Sequence, residues 1–366
     1  MYKIRIGDYF EVFDGAHATP KKTDEGPVYL GIDAVTNDGK INPSGYAHLS
    51  EEDYVKWSKR IKPQYGDLVF SYEATLGRYA LIPKDFYGCL GRRLALLRAK
   101  NNCINIKWLY YYFLSPEWNA YIINHTVKGS TVNRISVEDF PDFEIPYIDR
   151  GIQDRIVNVL SAIDAKIDSN VTINDNLQQM ATTAYMHLFH CKKGNGRLGD
   201  ILIENPKSTI QVGEAKDKTG DFPFFTSGDS ILRWTEPIVD GRNTFLNTGG
   251  NADVKFYVGK TAYSTDTWCI TARNDMEDYL YLLLNSIRQE LNLKYFQGTG
   301  LKHLQKPLLK DRAVYIPSNS EITSFNAEIK PWLTMISNNT RESYRLSALK
   351  EWLLPMLMNG QATISD

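Results

Sequence analysis

An apolar stripe with a polar centre occurs twice in this chain, and no other feature restricts its folding as much. Ile156, Leu160, Ile163, Ile167, Asn170, Asn174, Leu177, Ala181, Ala184 and Leu188 follow one another at alternating steps of four and three. That is the a/d spacing of a coiled-coil seam. Adding 169 to each position gives Phe325, Ile329, Trp332, Ile336, Asn339, Ser343, Leu346, Lys350, Leu353 and Leu357. The second stripe is almost as apolar and turns polar at the same level, around Asn170 in one copy and Asn339 in the other. A single amphipathic helix can cover its own globule, or two can pack on each other. Two matched seams favour mutual packing, with the asparagine layers fixing register at some cost in stability. Pro331 marks either the true start of the second helix or a kink in it.

The helices close a larger repeat. "RIGDYFEV" (5–12) returns as "RLGDILIE" (197–204), "PVYLGI" (27–32) as "PFFTSG" (223–228), and "KGSTVNRI" (128–135) as "QGTGLKHL" (297–304). The first match is offset by 192 residues and the last by 169, so the first copy is the longer. Within each copy, β-branched and aromatic runs bounded by Gly, Asp and Pro predict short strands. "GDLVFSYEATLGRYALIP" (66–83) reads as a hairpin, and "NTFLNTGGNADVKFYVG" (243–259) as its counterpart. "NIKWLYYYFLSPEWNAYI" and "DMEDYLYLLLNSIRQEL" carry helical spacing at the same place in each copy. Each repeat is therefore expected to be a mixed α/β globule followed by a long helix.

Composition sets outer limits. With 366 residues, 43% of them hydrophobic and 12% aromatic, the chain can bury two ordinary cores. No run approaches eighteen apolar residues, and the opening "MYKIRIGDYFEVFDG" lacks a signal-peptide core, so a cytoplasmic protein without a membrane span is expected. Cys89, Cys103, Cys191 and Cys269 are scattered, which argues against a disulfide framework and against a zinc site. Net charge is −1, and neither globule is basic: 18 Lys/Arg face 19 Asp/Glu in 1–149, and 17 face 15 in 191–318. Bulk charge therefore argues against nucleic-acid binding, and a DNA surface would have to be a local basic face or be completed by a partner.

Catalytic motifs are missing. "FQGTG" (296–300) imitates a methyltransferase nucleotide loop, but no doubly wound strand series surrounds it and its repeat partner is the turn "VKGST". "NPSG" (42–45) and "NPKS" (205–208) read as turns, and "EAK" (214–216) and "EIK" (328–330) lack the partner carboxylates of a nuclease. His187, His190 and Cys191 cluster at the end of the first helix, but no fourth ligand is evident, so no metal site is expected.

The order globule, long helix, globule, long helix resembles the specificity (S) subunit of type I restriction-modification systems. "GDLVFSYEATLGRYALI", "FPFFTSGDSI", "GKTAYSTDTWCIT" and the helix after "EIPYIDRGIQDRIV" carry the resemblance, which covers nearly the whole chain. It implies a mixed α/β (α+β) fold of two similar globular domains with twisted sheets. Two long helices would separate them as an antiparallel coiled coil with internal pseudo-twofold symmetry. On that pattern 1–149 is target recognition domain 1, 150–190 the first spacer helix, 191–318 target recognition domain 2, 319–358 the second spacer helix and 359–366 a tail. It further implies a non-catalytic subunit, bacterial or archaeal, that reads a bipartite target in double-stranded DNA. Two methyltransferase (M) subunits would dock on it, with motor/endonuclease (R) subunits beyond. The chain itself would hold no cofactor; S-adenosylmethionine, ATP and Mg would serve the partner subunits. The family's Pro-Pro-x-x-x-Gln helix opening is replaced by "PYIDRGIQ" and "PSNSEITS", so only Gln153 of the first copy retains it. The competing readings are a coiled-coil scaffold that binds proteins and a fragment of a stand-alone DNA-modifying enzyme.

Candidate DNA contacts are polar, basic and aromatic residues in the loops of each copy. In the first they are Tyr72, Thr75, Arg78, Arg92, Arg93, Lys128 and Arg134. In the second they are Asn247, Thr248, Asn251, Lys255, Lys302 and His303, with Lys255 taken as the counterpart of Arg78. Arg, Asn and Thr suit base edges, whereas Lys suits phosphates. For each the competing role is an ordinary solvated side chain.

Overall fold

The computed structural model describes residues 2–16, 18–128, 132–216 and 218–362. The Gly-Ser-Thr turn at 129–131 and tail residues 363–366 lie outside them. The chain forms two compact units, Met1–Ala165 with Leu346–Asp366, and Lys166–Arg345.

In the first unit the helix Ile6–Tyr9 leads into a four-stranded antiparallel sheet. Its strand order is Phe10–Asp14, Leu94–Ala99, Leu68–Ser71, Tyr79–Leu81. A three-stranded sheet, Ala47–His48, Thr23–Leu30, Gly88–Leu90, contains one parallel pairing, Tyr29 with Cys89. Strands as apolar as "LVFS" and "LALL" require cover on both faces. They have it. Leu68, Phe70, Ala95 and Leu97 pack with Trp108, Leu109 and Phe113 of the helix Ile106–Phe113. Val69, Leu94 and Leu96 point the other way, onto Leu30 and Leu90 of the smaller sheet. The stretch after Ile106 is two helices, because Ser115 caps the second, Pro116–Asn124, by accepting the Trp118 N–H at 3.3 Å.

The second unit repeats the plan. Helix Leu198–Ile201 precedes a sheet ordered Leu202–Glu204, Thr267–Ala272, Arg242–Asn247, Val254–Val258. The smaller sheet is Leu232–Trp234, Phe222–Phe225, Ala262–Tyr263, again with one parallel pairing. Helix Glu277–Ser286 takes the place of Ile106–Phe113. Register aligns the copies residue by residue. Ser71 pairs with Leu94 and Asn247 with Thr267 at the head of the closing strand, while Phe10 pairs with Ala99 and Leu202 with Ala272 at its foot. Both expected hairpins are present. Arg242 pins this sheet to helix Glu277–Ser286: its Nε and Nη2 donate to the two carboxylate oxygens of Asp278 at 2.7 Å each, and Nη1 donates to Thr334 at 2.9 Å.

The two long helices are Arg150–Phe189 and Asn319–Met358, 40 residues each. The first opens on Asp149, whose side chain accepts the Gly151 N–H at 2.8 Å. Buried Gln153 donates to the Ile148 carbonyl and accepts the Asn105 N–H, both at 2.7 Å, tying that helix start to the helix Ile106–Phe113. The second opens on a capping box: Ser318 accepts the Glu321 N–H, and Glu321 accepts the Ser318 N–H at 2.8 Å. Ile322 stands where the first copy has Gln153, and its clamp is supplied one turn later by buried Asn326, which donates to the Asp275 carbonyl at 2.6 Å. Pro331 does not begin the helix. It sits exposed within unbroken helix, where the carbonyl it leaves unpaired belongs to exposed Ala327.

The helices pair antiparallel within each unit. In the first, Ile156 and Leu160 share a core with Leu354, Leu357 and Met358, Leu353 packs against it, Ile163 is buried, and Lys350 reaches Asp164 at 2.6 Å. In the second, Ala181, Tyr185 and Phe189 meet Phe325, Ile329 and Leu333, with Trp332 and Ile336 packed beside them. Ile167, Leu177 and Leu346 are half-buried. Between these apolar levels lies the polar layer. Asn170 is fully buried and donates to Ser343 Oγ at 3.2 Å, and Asn339 donates to Asn174 Oδ1 at 2.9 Å. Shifting by the repeat interval turns the first bond into the second, so the two bonds occupy equivalent positions of the repeat. Leu188 is the exception to the seam, at 41% exposure. A straight helix repeats every 3.6 residues and drifts about 20° per heptad from a 3.5 pattern. Over more than three heptads the buried stripe therefore moves one residue later, onto Tyr185 and Phe189. Among the described residues no helix is long and apolar enough to cross a membrane.

Candidate nucleic-acid interface

Each unit gathers the same three loops at one end of its large sheet. The first is the hairpin loop, 72–77 or 248–252; the second is the turn after the parallel strand, 91–93 or 264–266. The third returns from the helical layer, at 127–128 and 132–135 or around 297–304. The main chain ties them together identically. Tyr72 and Thr248 donate N–H to the carbonyls of Arg93 (3.1 Å) and Asp266 (2.9 Å). Ala74 and Gly250 donate to those of Asn133 (3.3 Å) and Lys302 (2.9 Å). Glu73 bridges Arg134 and Gly249 bridges His303. Ala74 and Gly250 also share the left-handed conformation that turns the loop, at φ 68° and 82°.

On this scaffold the sequence candidates separate into surface groups and braces. Thr75, Arg92, Lys128 and Arg134 are exposed in the first unit, as are Asn251, Lys302 and His303 in the second. Tyr72 is not a surface group. It is 5% exposed, lies in the core with Tyr79 and Ile135, and burial is the first cause that pushes its hydroxyl pKa up. An aromatic residue at the head of a doubly covered strand buries its ring rather than offering it to a ligand. Asn247 is likewise buried. Its amide donates to the carbonyls of Gly249 and Asn251, and its oxygen accepts the Asp253 N–H at 2.7 Å, so its capacity is consumed in shaping the loop. Thr248 is half-buried and donates to the Asp266 carbonyl at 3.0 Å. Arg93 is half-buried, with Nε 3.4 Å from Glu73.

Arg78 and Lys255 are not counterparts by register. Phe70 faces Tyr79 and Leu246 faces Val254, which aligns Arg78 with Asp253 and Lys255 with Ala80. They nevertheless do the same work. Arg78 donates to Asn37 Oδ1 at 3.0 Å and to the Ile32 carbonyl at 2.9 Å. Lys255 donates to the carbonyls of Thr226 (3.0 Å) and Gly228, and lies 3.5 Å from Asp253. Both cations hold the loop that follows the first strand of the small sheet, 31–37 or 226–229. They are braces of the interface, with Nε and Nη1 of Arg78 and the Lys255 ammonium engaged in holding it. Lys22, which lines a groove beside the first unit's turn, and Ser227 and Asp266 of these loops escaped the sequence reading. Aligning the copies by strand register would have found the last two.

Among the described residues no group of three or more His, Cys, Asp and Glu can hold a metal ion. Among the described residues the exposed side chains Thr75, Arg92, Lys128 and Arg134 of one cluster, and Asn251, Lys302 and His303 of the other, are donors and cations suited to phosphates and base edges, while Asp266 adds a carboxylate to the second. The match to the type I restriction modification DNA specificity domain extends over residues 1–179. Those residues, just under half of the chain, belong to that domain family, and the whole chain is similar to type I restriction-modification specificity subunits. Over 88% of its length it is 20% identical to the type I restriction enzyme MjaIX specificity subunit of Methanocaldococcus jannaschii, 83% of which is covered. It is 24% identical over 42% of its length to the type I restriction enzyme EcoDI specificity subunit of Escherichia coli, 38% of which is covered. Its fold matches the crystal structure of a type I restriction-modification system S subunit from M. genitalium, at TM-score 0.62 and 14% identity. That match covers 100% of this chain and 96% of that one. Subunits of this family recognise DNA and are not themselves catalysts.

Proposed function

We propose that each unit of this chain reads one half of a bipartite target in double-stranded DNA, and that the paired long helices fix the distance between the halves. The observation that carries the reading is the duplicated loop cluster: one set of main-chain bonds presents Thr75, Lys128 and Arg134 in one unit, and Asn251, Lys302 and His303 in the other. A constant frame with divergent exposed side chains suits two readers of different sequences. A 40-residue helix is about 60 Å long at 1.5 Å per residue, about 18 base pairs of B-DNA rise.

The same helices are the docking surfaces for two methyltransferase subunits. Val171 and Met180 on the first, and Leu349 and Trp352 on the second, are 42% to 60% exposed, apolar surface that the helix pairing leaves uncovered. Methyl transfer from S-adenosylmethionine, and ATP- and Mg-dependent cleavage with motor/endonuclease subunits, take place in those partners, inside the bacterial or archaeal cytoplasm. The test is binding of the assembled methyltransferase complex to duplexes with either half-site scrambled. Arg134→Ala should weaken binding through one half, and the double change Lys302→Ala, His303→Ala through the other. Binding insensitive to both half-sites, or protein partners without DNA, would favour a scaffold instead.

A further inference from the structure

Positions that the fold treats as equivalent carry opposite charge in the two units. The turn after the parallel strand is Gly91-Arg92-Arg93 in the first and Ser264-Thr265-Asp266 in the second. Main-chain bonds fix the equivalence: Gly91 donates to the Leu30 carbonyl at 2.8 Å, and Ser264 to the Phe225 carbonyl at 2.9 Å. The turn is thus built equally well with no arginine. The first unit also holds Arg93 at φ 74°, a left-handed conformation that a long side chain rarely adopts and Asp266 does not share. Strain retained where the fold has a relaxed alternative points to use.

The turn is rigid and cationic. Tyr29 donates its ring to the small sheet's core and accepts the Arg92 N–H at 2.9 Å, while the Arg93 carbonyl accepts from Tyr72. Beside it opens a groove of about 270 Å³ lined by Thr19, Lys22, Asp33, Arg92 and Arg93, among others. Among the described residues the Arg92 and Lys22 side chains have no ion-pair partner, and both are exposed. Arg92 and Lys22, without carboxylate partners beside a DNA-reading loop cluster, suit phosphate oxygens, which carry charge but no sequence, and Arg93 of the same turn adds its charge although Glu73 lies 3.4 Å from its Nε.

We propose that Lys22, Arg92 and Arg93 form a docking site for backbone phosphates of duplex DNA that only the first unit possesses. This rests on the DNA-reading function proposed above. The half-site under the first unit is then held largely by charge, and the other by the polar loop around Asn251. The test measures binding of the assembled methyltransferase complex to its target duplex across a salt series. The changes are Lys22→Ala, Arg92→Ala and Arg93→Asn, the last because asparagine tolerates the left-handed backbone. Each lost contact should reduce the salt slope by about 0.9, so the triple variant should lose between about 2 and 3. The loss should be the same for the target and for duplexes with single base changes in the first half-site. The reciprocal change Asp266→Arg should steepen the slope by about 1. Arg92→Lys should retain most of the binding. An unchanged slope in a variant that still melts like the parent would overturn the assignment. So would a loss confined to one base position and not rescued by Arg92→Lys, which is the signature of a guanine contact. If the parent complex binds no duplex at all, the DNA-reading function itself fails and this site falls with it, a result separable from an unchanged slope.

Discussion

Replacing Asn170 by leucine should stabilise the second unit while loosening the register of its helix pair. Asn170 has no exposed surface, and its Oδ1 is buried without a hydrogen-bond partner. An orphaned buried carbonyl costs about 1–3 kcal/mol. Its Nδ2 donates to Glu342 at 2.9 Å, Ser343 at 3.2 Å and the Asn339 carbonyl at 3.4 Å, so three acceptors share one amide. Losing those bonds removes roughly 1–2 kcal/mol net. The acceptors are not stranded, since Glu342 lies on the helix surface and keeps Lys166 at 3.1 Å. Leucine adds about 0.5 kcal/mol of helix propensity and about 1 kcal/mol or more of apolar burial. The balance is a gain of about 1–2 kcal/mol. Hydrogen exchange of the backbone amides around residues 166–177 reads this locally, which matters in a chain whose two units need not unfold together. Those amides should open roughly 5–30 times less often in Asn170→Leu than in the parent. If they open more often, the asparagine layer is a net stabiliser, its oxygen is satisfied in solution, and the argument that polarity here serves register at a cost is refuted.

Other consequences are as definite. Asp278→Ala leaves Arg242, whose side chain is only 17% exposed, without its buried carboxylate, and should destabilise the second unit by about 3 kcal/mol in urea unfolding, whereas removing exposed Arg197 from its pair with Asp311 should change stability by less than about 1 kcal/mol. Glu321 ion-pairs with Lys192 at 2.5 Å and accepts hydrogen bonds from Ser318 and Tyr315, which hold its carboxyl pKa at about 2 instead of 4.5. A depressed carboxyl stabilises fully above its unfolded pKa and loses that contribution as pH falls toward the folded one. The stability difference between parent and Glu321→Gln should therefore be constant from pH 7 to 5 and shrink between about 4.5 and 2; a difference that grows on acidification would contradict it. A seven-residue insertion in each long helix, after Ala165 and after Arg345, keeps heptad phase and adds about 10 Å. Methylation mapping should then show the unread spacer lengthened by roughly three base pairs with both half-sites unchanged.

The parts of this account visible in the sequence are those written in spacing. Hairpins 66–83 and 243–259 follow from alternating apolar runs around Gly-rich turns, and the helix seam follows from its a/d steps as far as Ala184. Leu188 shows the limit, because a heptad template cannot record how far a straight helix has drifted from it. At the interface, spacing located the loops but not the role of each side chain. Asn247 and Tyr72 are polar or amphipathic residues beside a loop, and only strand pairing reveals that one is consumed by its own turn and the other faces the core. Arg78 and Lys255 brace the same loop from positions two residues apart in register, which no alignment by residue type distinguishes. The asymmetry between Arg92-Arg93 and Thr265-Asp266 is equally hidden until the sheets align the copies.

The most direct test of the central claim, that each unit reads its own half-site, is methylation mapping after exchange of residues 1–149 for the corresponding segment of another specificity subunit. One half of the methylated motif should change to that of the donor, while the half read through Asn251, Lys302 and His303 stays as it was. If both halves change together, or neither does in a complex that still methylates, the two loop clusters are not independent readers and the account is wrong.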